Sequence, residues 1–240
     1  MVIRSALFNA LFWLWVLSLV VVLPIAYIYR PFSHNVSRAW AHVSLWLLRV
    51  LCNITHEIRG KEHIPAGTVI VASKHQSAWD TIIFWLLFNR PSFVLKRELI
   101  FFPVFGSYLV LLQNIYINRK AGASAIKQIL RQAQDRVKEG RSIIIFPEGT
   151  RTMVGAASVY HPGVAALYQN LELPVVPVAV NSGLYWSKNA FVKQPGKIIM
   201  EFLPPIQPGM KNREFLGALQ EQVETATNRL VAEGRNAITS

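Results

Sequence analysis

The sequence predicts an α/β domain with a largely parallel central sheet flanked by helices, preceded by an N-terminal membrane-embedding helical pair. Three observations lead there. From residue 54 onward, apolar β-like runs alternate with helix-like stretches, the pattern of strand–crossover–strand units. Before that point stand an uncharged 24-residue run, 6–29, and a shorter amphipathic segment, 39–54. The 240 residues, 52% of them apolar, suit one globular domain with an appendage. The boundary is set between 1–54, the membrane-associated helices, and 55–240, the α/β domain.

As a helix rising ~1.5 Å per residue, the run ALFNALFWLWVLSLVVVLPIAYIY would cover a hydrocarbon core of about 30 Å, so one crossing is feasible. No small-x-small cleavage site follows it, which argues against a removed signal peptide. Basic residues are denser on its C-terminal flank (Arg30, Arg38, Arg49) than on its N-terminal one (Arg4), which places the bulk of the chain on the cytoplasmic side. In the second segment Trp40, Val43, Leu47, Val50 and Leu51 recur at helical spacing, but His42 and Arg49 interrupt it. That segment should lie in the interface or pack on the domain.

Strands are expected at 55–59, 68–73, 92–95, 114–118, 142–146, 174–180 and 197–202, and helices at 78–88, 124–139, 163–170 and 213–233. Within 124–139, Ile126, Leu130, Ala133 and Val137 share one face, and Gly140 stops the helix. Open sheets of this kind take ligands beyond the carboxyl ends of their strands, so the loops after strands are the candidate sites.

The formal charge is +12, from 25 Lys and Arg against 13 Asp and Glu, and it favours an anionic partner: nucleic acid, anionic lipid or a phosphorylated substrate. A mean hydropathy of +0.30 and seven Trp tilt that choice toward lipid. No run of five Lys or Arg and no nucleic-acid-binding motif occurs, so no nucleic-acid partner is expected. The single Cys52 excludes an intrachain disulfide and any Cys-rich metal site, and its apolar surroundings suit a small buried hydrophobe. The carboxylates lack ligand-type spacing with His, so no metal is expected.

After the strand at 68–73 comes SKHQSAWDT, in which His75 precedes Asp80 by five residues. On one continuous helix the two side chains would diverge by about 140°. They meet only if His75 precedes the helix, with Ser77 as N-cap and Asp80 in the first turn reaching back. Two readings stand side by side. Asp80 complements the helix dipole while His75 is an ordinary loop residue, or the carboxylate orients His75 as a general base.

Three more loops carry polar groups. Pro147, Glu148, Gly149, Thr150 and Arg151 follow SIIIF, Asn118 and Arg119 follow NIYI, and Lys96 and Glu98 stand in LKREL. Arg119 or Lys96 alone reads equally as a solvated salt bridge, whereas Pro147–Arg151, following a fully apolar strand, reads better as a functional loop. Taken jointly, a His–Asp pair with nearby guanidinium and ammonium groups suits transfer to a hydroxyl of a phosphorylated molecule. His75 would deprotonate the hydroxyl, and Arg119, Arg151 and Lys96 would hold the phosphate.

HQSAWD, NIYINR, FPEGTR and VVPVAV stand in the order and approximate spacing of the four motifs of the 1-acylglycerol-3-phosphate acyltransferases, and from about residue 60 to 180 the chain resembles that family. The resemblance implies a glycerolipid acyltransferase-like fold, with His75 as base and Asp80 as its partner. It further implies Arg119 and Arg151 on the acceptor phosphate, Glu148, Gly149 and Thr150 on the glycerol portion, Pro177 shaping the acyl side, and Lys96 beside the phosphate. The second motif departs from the family at Gln113 and Asn118, where Gly and Asp are usual, and His161 and Pro162 replace a basic pair before Gly163.

The expected activity is a membrane-bound transfer of an acyl group from acyl-CoA or acyl-ACP to lysophosphatidic acid, giving phosphatidic acid, with no cofactor. The expected partners are those substrates, membrane lipid and acyl carrier protein, and the expected location is a bacterial inner membrane. Two other readings are a different lysolipid acceptor, such as an ornithine lipid, and a non-catalytic lipid-binding protein. An oriented base argues against the second.

Overall fold

Seven strands form where the apolar runs were expected, in a computed structural model that describes residues 1–118 and 123–239. In chain order the elements are α1 (Val2–Ser18), α2 (Leu23–Ile28), α3 (Pro31–Cys52), β1 (Ile54–Arg59), β2 (Ile70–Ser73), α4 (Trp79–Leu87), β3 (Ser92–Lys96), α5 (Phe105–Leu111), β4 (Ile115–Ile117), α6 (Ala123–Lys138), β5 (Ile143–Ile145), α7 (Gly163–Leu171), β6 (Val175–Val180), β7 (Gly196–Phe202) and α8 (Asn212–Thr239). One sheet contains all seven strands in the order β1-β7-β6-β2-β5-β3-β4. From β6 to β4 the strands are parallel, whereas β7 runs antiparallel to β6 and carries β1 parallel beside it. The sheet is therefore mostly, not wholly, parallel.

At the centre of the sheet both faces are covered, so β2, β5 and β6 are buried along their whole length and read as largely apolar runs, whereas the edge strand β1 is polar and partly exposed. Along β2 and its approach, Val69 and Val71 join one core with residues of α3 and α4, while Ile70 and Ala72 join another with α6, α7 and α8. In the same way Ile144 and Phe146 face the first core, and Ile143 and Ile145 the second. That period of two is the pleat made visible in the packing.

The N-terminal expectation needs correction. The run 6–29 does not form one crossing helix: α1 ends at Ser18, and α2 restarts as a separate short helix with Pro24 in its first turn. Pro24 has no N–H to continue the i→i−4 ladder, and its ring favours the first turn of a new helix. Ser18 Oγ donates back to the Trp15 carbonyl at 2.8 Å, an alternative to the backbone ladder where α1 stops. Among the described residues no helix is long and apolar enough to cross a membrane. The second segment begins earlier than expected, because Pro31 starts α3 well before residue 39. His34, Ser37, Ala41, Ser44, Leu45, Leu48 and Cys52 form the buried stripe of α3, which packs against α4.

Candidate active site

The parallel strands deliver their carboxyl ends side by side, in the order β2, β5, β3, β4. The loop bearing His75 leaves β2, the loop bearing Glu148–Arg151 leaves β5, and Lys96 ends β3, exposed. Arg119, after β4, lies outside the described residues. The topology thus brings to one edge the loops that the chain keeps far apart.

His75 precedes α4, as the five-residue spacing requires. Its Nδ1 lies 3.1 Å from Asp80 Oδ2. The same oxygen accepts the Gln76 N–H at 2.7 Å and the Ser77 N–H at 2.8 Å, and Oδ1 accepts the Ser182 hydroxyl at 2.5 Å. Helix α4 begins one residue later than expected, with Ala78 at the N-cap, and Ser77 Oγ accepts the Trp79 N–H at 3.2 Å. Asp80 is fully buried, and four donors at its two oxygens compensate the lost hydration of its charge. An acceptor-only carboxylate at Nδ1 fixes the proton there and leaves Nε2 with its lone pair. The ring is stacked on Phe146, with centroids 4.0 Å apart and planes 20° apart, which limits its rotation.

The loop after β5 clamps the backbone of His75 on both sides. Glu148 Oε2 accepts the His75 N–H at 2.8 Å, while the Thr152 N–H donates to the His75 carbonyl at 2.8 Å. Gly149 makes the turn, with φ +65° and its N–H bonded to the Phe146 carbonyl at 2.9 Å; a left-handed residue here favours glycine. The other Glu148 oxygen accepts the Thr152 and Ser158 hydroxyls, each at 2.8 Å, and pairs with Lys74 Nζ at 2.7 Å. The carboxylate expected on the glycerol portion of the acceptor is therefore buried and turned inward, because four donors engage its two oxygens. Thr150 is exposed beside it, and Arg151 donates to Asn189 Oδ1 at 3.2 Å without a carboxylate partner. Pro177 lies inside the sheet opposite Ala72, its carbonyl accepting the Leu203 N–H, so it sits with the strand backbones rather than with the loops.

Lys74 went unremarked at the level of sequence, although it immediately precedes His75. It is 2% exposed and bridges Glu148 to Glu224 of α8, whose oxygens lie 2.8 and 2.9 Å from Nζ. Tyr160 donates to Glu224 Oε1 at 3.1 Å; burial first, then the Glu224 and Glu148 charges, push its phenol well above the usual range. A cleft of about 380 Å³ opens beside this cluster, between Gln76, Ser158 and Glu224. The one signal for Lys74 was a charge at the exit of an apolar strand. For Glu224 and Ser182 the sequence carried none.

A histidine held by a buried carboxylate at the carboxyl edge of a parallel sheet, with an arginine on the neighbouring loop, is an arrangement that can supply a general base for group transfer onto a hydroxyl. The chain belongs to the acyltransferase family, whose model, described as Acyltransferase, matches residues 55–181. The 1-acyl-sn-glycerol-3-phosphate acyltransferase of Pseudomonas aeruginosa is 37% identical over 212 residues, 88% of this chain and 81% of that protein. A protein of the same name from Limnanthes alba is 30% identical over 194 residues, 80% of this chain and 67% of that one. The crystal structure of the 1-acyl-sn-glycerophosphate (LPA) acyltransferase PlsC from Thermotoga maritima matches with a TM-score of 0.72 at 21% identity, covering 94% of this chain and 97% of that one. At that identity the likeness is one of fold.

Proposed function

We propose that this chain is a membrane-associated O-acyltransferase that moves a fatty acyl group from an acyl thioester, acyl-CoA or acyl-ACP, to the free hydroxyl of 1-acylglycerol 3-phosphate. The product is phosphatidic acid. The observation that carries the reading is the His75–Asp80 pair, its backbone held from both sides by the loop that presents Arg151. The names of the relatives from Pseudomonas and Limnanthes support the choice of acceptor.

In this reading His75 Nε2 takes the proton of the acceptor hydroxyl as its oxygen attacks the thioester carbonyl. The tetrahedral intermediate collapses by breaking the C–S bond, and the departing thiolate recovers the proton from the imidazolium. Asp80 holds the ring and stabilises its charged form, and base assistance contributes about 10²–10⁴ in rate. Arg151 and Lys96 take the acceptor phosphate, and the same role is proposed for Arg119, which lies outside the described residues.

Membrane attachment draws support from the surface. Exposed Ile3, Trp13, Val21 and Ile28 on the α1–α2 segment and exposed Phe101, Phe102 and Phe105 before and within α5 are large apolar side chains. The two regions meet where Tyr108 donates to the Leu19 carbonyl at 2.9 Å. So much contiguous apolar surface is costly in water and suits one leaflet of a membrane, with the catalytic domain on the cytoplasmic side of a bacterial inner membrane. Purified protein given a radiolabelled acyl thioester and a panel of lysolipids tests the reading. Labelled phosphatidic acid from 1-acylglycerol 3-phosphate should be the main product. Preferential labelling of another lysolipid would reassign the acceptor, and no transfer to any of them would contradict the activity.

A further inference from the structure

A second cleft, of about 330 Å³, opens at the end of the sheet opposite His75. It is bounded by the start of α3 and by the turn from α4 into β3, and Tyr29, His34, Asn35, Arg38, Asn89 and Arg90 line it. Neither Arg38 nor Arg90 makes an ion pair among the described residues, although both are exposed. Arg90 holds φ +52°, a backbone region that most residues avoid. The turn is kept there from beneath by buried Arg141, which donates to the Arg90 carbonyl at 2.9 Å and to the Pro91 carbonyl at 3.2 Å. Arg141 spends its one carboxylate contact, 3.4 Å, on Glu139, so no acid faces the cleft itself.

His34 closes the inner wall. It is 9% exposed, and its Nδ1 has no hydrogen-bond partner among the described residues. Burial first, then the charges of Arg141 and Arg90, lower its pKa to about 4, so at neutral pH it offers a neutral donor rather than a further charge. Arg38 and Arg90, without an ion pair among the described residues, line this cleft together with the neutral His34, and two guanidinium groups at one opening suit a phosphate.

The rim says which phosphate. Tyr29 lines the cleft and directly continues the exposed apolar ledge of Ile25 and Ile28, the latter 88% exposed. A free anion gains nothing from that ledge, whereas a lipid engages both surfaces at once. We propose that this cleft is a second, non-catalytic site for the phosphate headgroup of an anionic membrane phospholipid, with Arg38 and Arg90 on the phosphate and the acyl chains along Ile25, Ile28 and Tyr29. It rests on the membrane-associated reading above. With a headgroup fixed at one end of the molecule and the catalytic loops at the other, the lipid would orient the apolar face on the bilayer.

The test is vesicle co-sedimentation of the full chain, using phosphatidylcholine vesicles with and without about 20% phosphatidylglycerol. Wild type should prefer the anionic vesicles, and Arg38→Gln/Arg90→Gln should lose on the order of 10-fold in binding to them while keeping its binding to neutral ones. Lys211→Gln/Arg213→Gln removes the same charge from exposed positions elsewhere and should change binding less than about 2-fold. Equal losses in the two double variants, or no anionic preference in wild type, would overturn the proposal in favour of general surface charge. Loss of the preference on adding inorganic phosphate at constant ionic strength would overturn the lipid in favour of a soluble anion. Acyl transfer in detergent micelles should be unaffected by Arg38→Gln/Arg90→Gln, showing that the variant is folded. Should wild type bind no vesicles, the membrane-associated reading fails with the proposal; binding without headgroup dependence sinks the proposal alone.

Discussion

Glu148 is tied to His75 through the backbone: its Oε2 accepts the His75 N–H at 2.8 Å, and its other oxygen is held by Thr152, Ser158 and Lys74. The carboxylate therefore fixes where the backbone of His75 stands. Glu148→Ala strips partners from a buried cation, a backbone N–H and two hydroxyls, and should destabilise the fold by about 3–5 kcal/mol together with loss of transfer. Glu148→Gln, which keeps an acceptor oxygen, should lose less stability. Chemical denaturation in micelles measures both. A Glu148→Ala protein of wild-type stability with weakened acceptor binding would put the carboxylate on the substrate instead.

Lys74 lies between two carboxylates, one buried and one part-buried, so its removal leaves like charges facing each other. Lys74→Met should cost about 3–5 kcal/mol, and Glu224→Gln less, because Glu224 retains some contact with water. The double variant should cost less than the sum of the two. A double-mutant cycle gives the coupling directly, and strict additivity would mean that Lys74 and Glu224 do not share a network.

Arg151 donates to the Asn189 side chain at 3.2 Å and makes no ion pair among the described residues. Its substitution should spare stability and fall on the acceptor. Arg151→Ala should reduce use of the phosphorylated acceptor by on the order of 30- to 5,000-fold, equivalent to about 2–5 kcal/mol, and Arg151→Lys by less. A lysolipid lacking the phosphate should be used equally badly by wild type and Arg151→Ala. Equal proportional losses on both acceptors, in steady-state kinetics, would make Arg151 a support of its loop.

His34 gives the fold a pH dependence. With a native pKa of about 4 against the ordinary value of 6.5, it is protonated more readily in the unfolded chain. Its contribution is therefore complete above pH 6.5 and is lost as pH falls through about 4, a change of about 3 kcal/mol. Denaturation between pH 7 and 4 should show a flatter slope for His34→Gln than for wild type. Parallel slopes would remove His34 as the cause.

The sheet was legible because its central strands β2, β5 and β6 are covered on both faces and read as apolar runs; β1 to β7 all lie within a residue or two of expectation. The contact between His75 and Asp80 was legible because five-residue spacing lets the two side chains meet only around a helix start, although the spacing left the structural and the catalytic reading of the pair side by side. Glu148 was found but its role was not, since a carboxylate next to a glycine turn looks the same whether it points outward or inward. Lys74, Ser182 and Glu224 reach the site through long-range contacts that no local spacing encodes. The N-terminal run misled for a related reason: hydropathy counts charges, whereas Pro24 acts through a missing N–H.

Single-turnover acyl transfer to 1-acylglycerol 3-phosphate, measured for wild type, His75→Ala and Asp80→Asn in the same micelles, tests the central claim most directly. Among the described residues the His75 side chain hydrogen-bonds to Asp80 and stacks on Phe146, so His75→Ala should fold, bind acceptor and lose about 10²–10⁴ of the rate. Asp80→Asn keeps the shape but presents an amide that can reverse the ring tautomer, and should lose most of the rate as well. Wild-type turnover by either variant would contradict the assignment of His75 as the base.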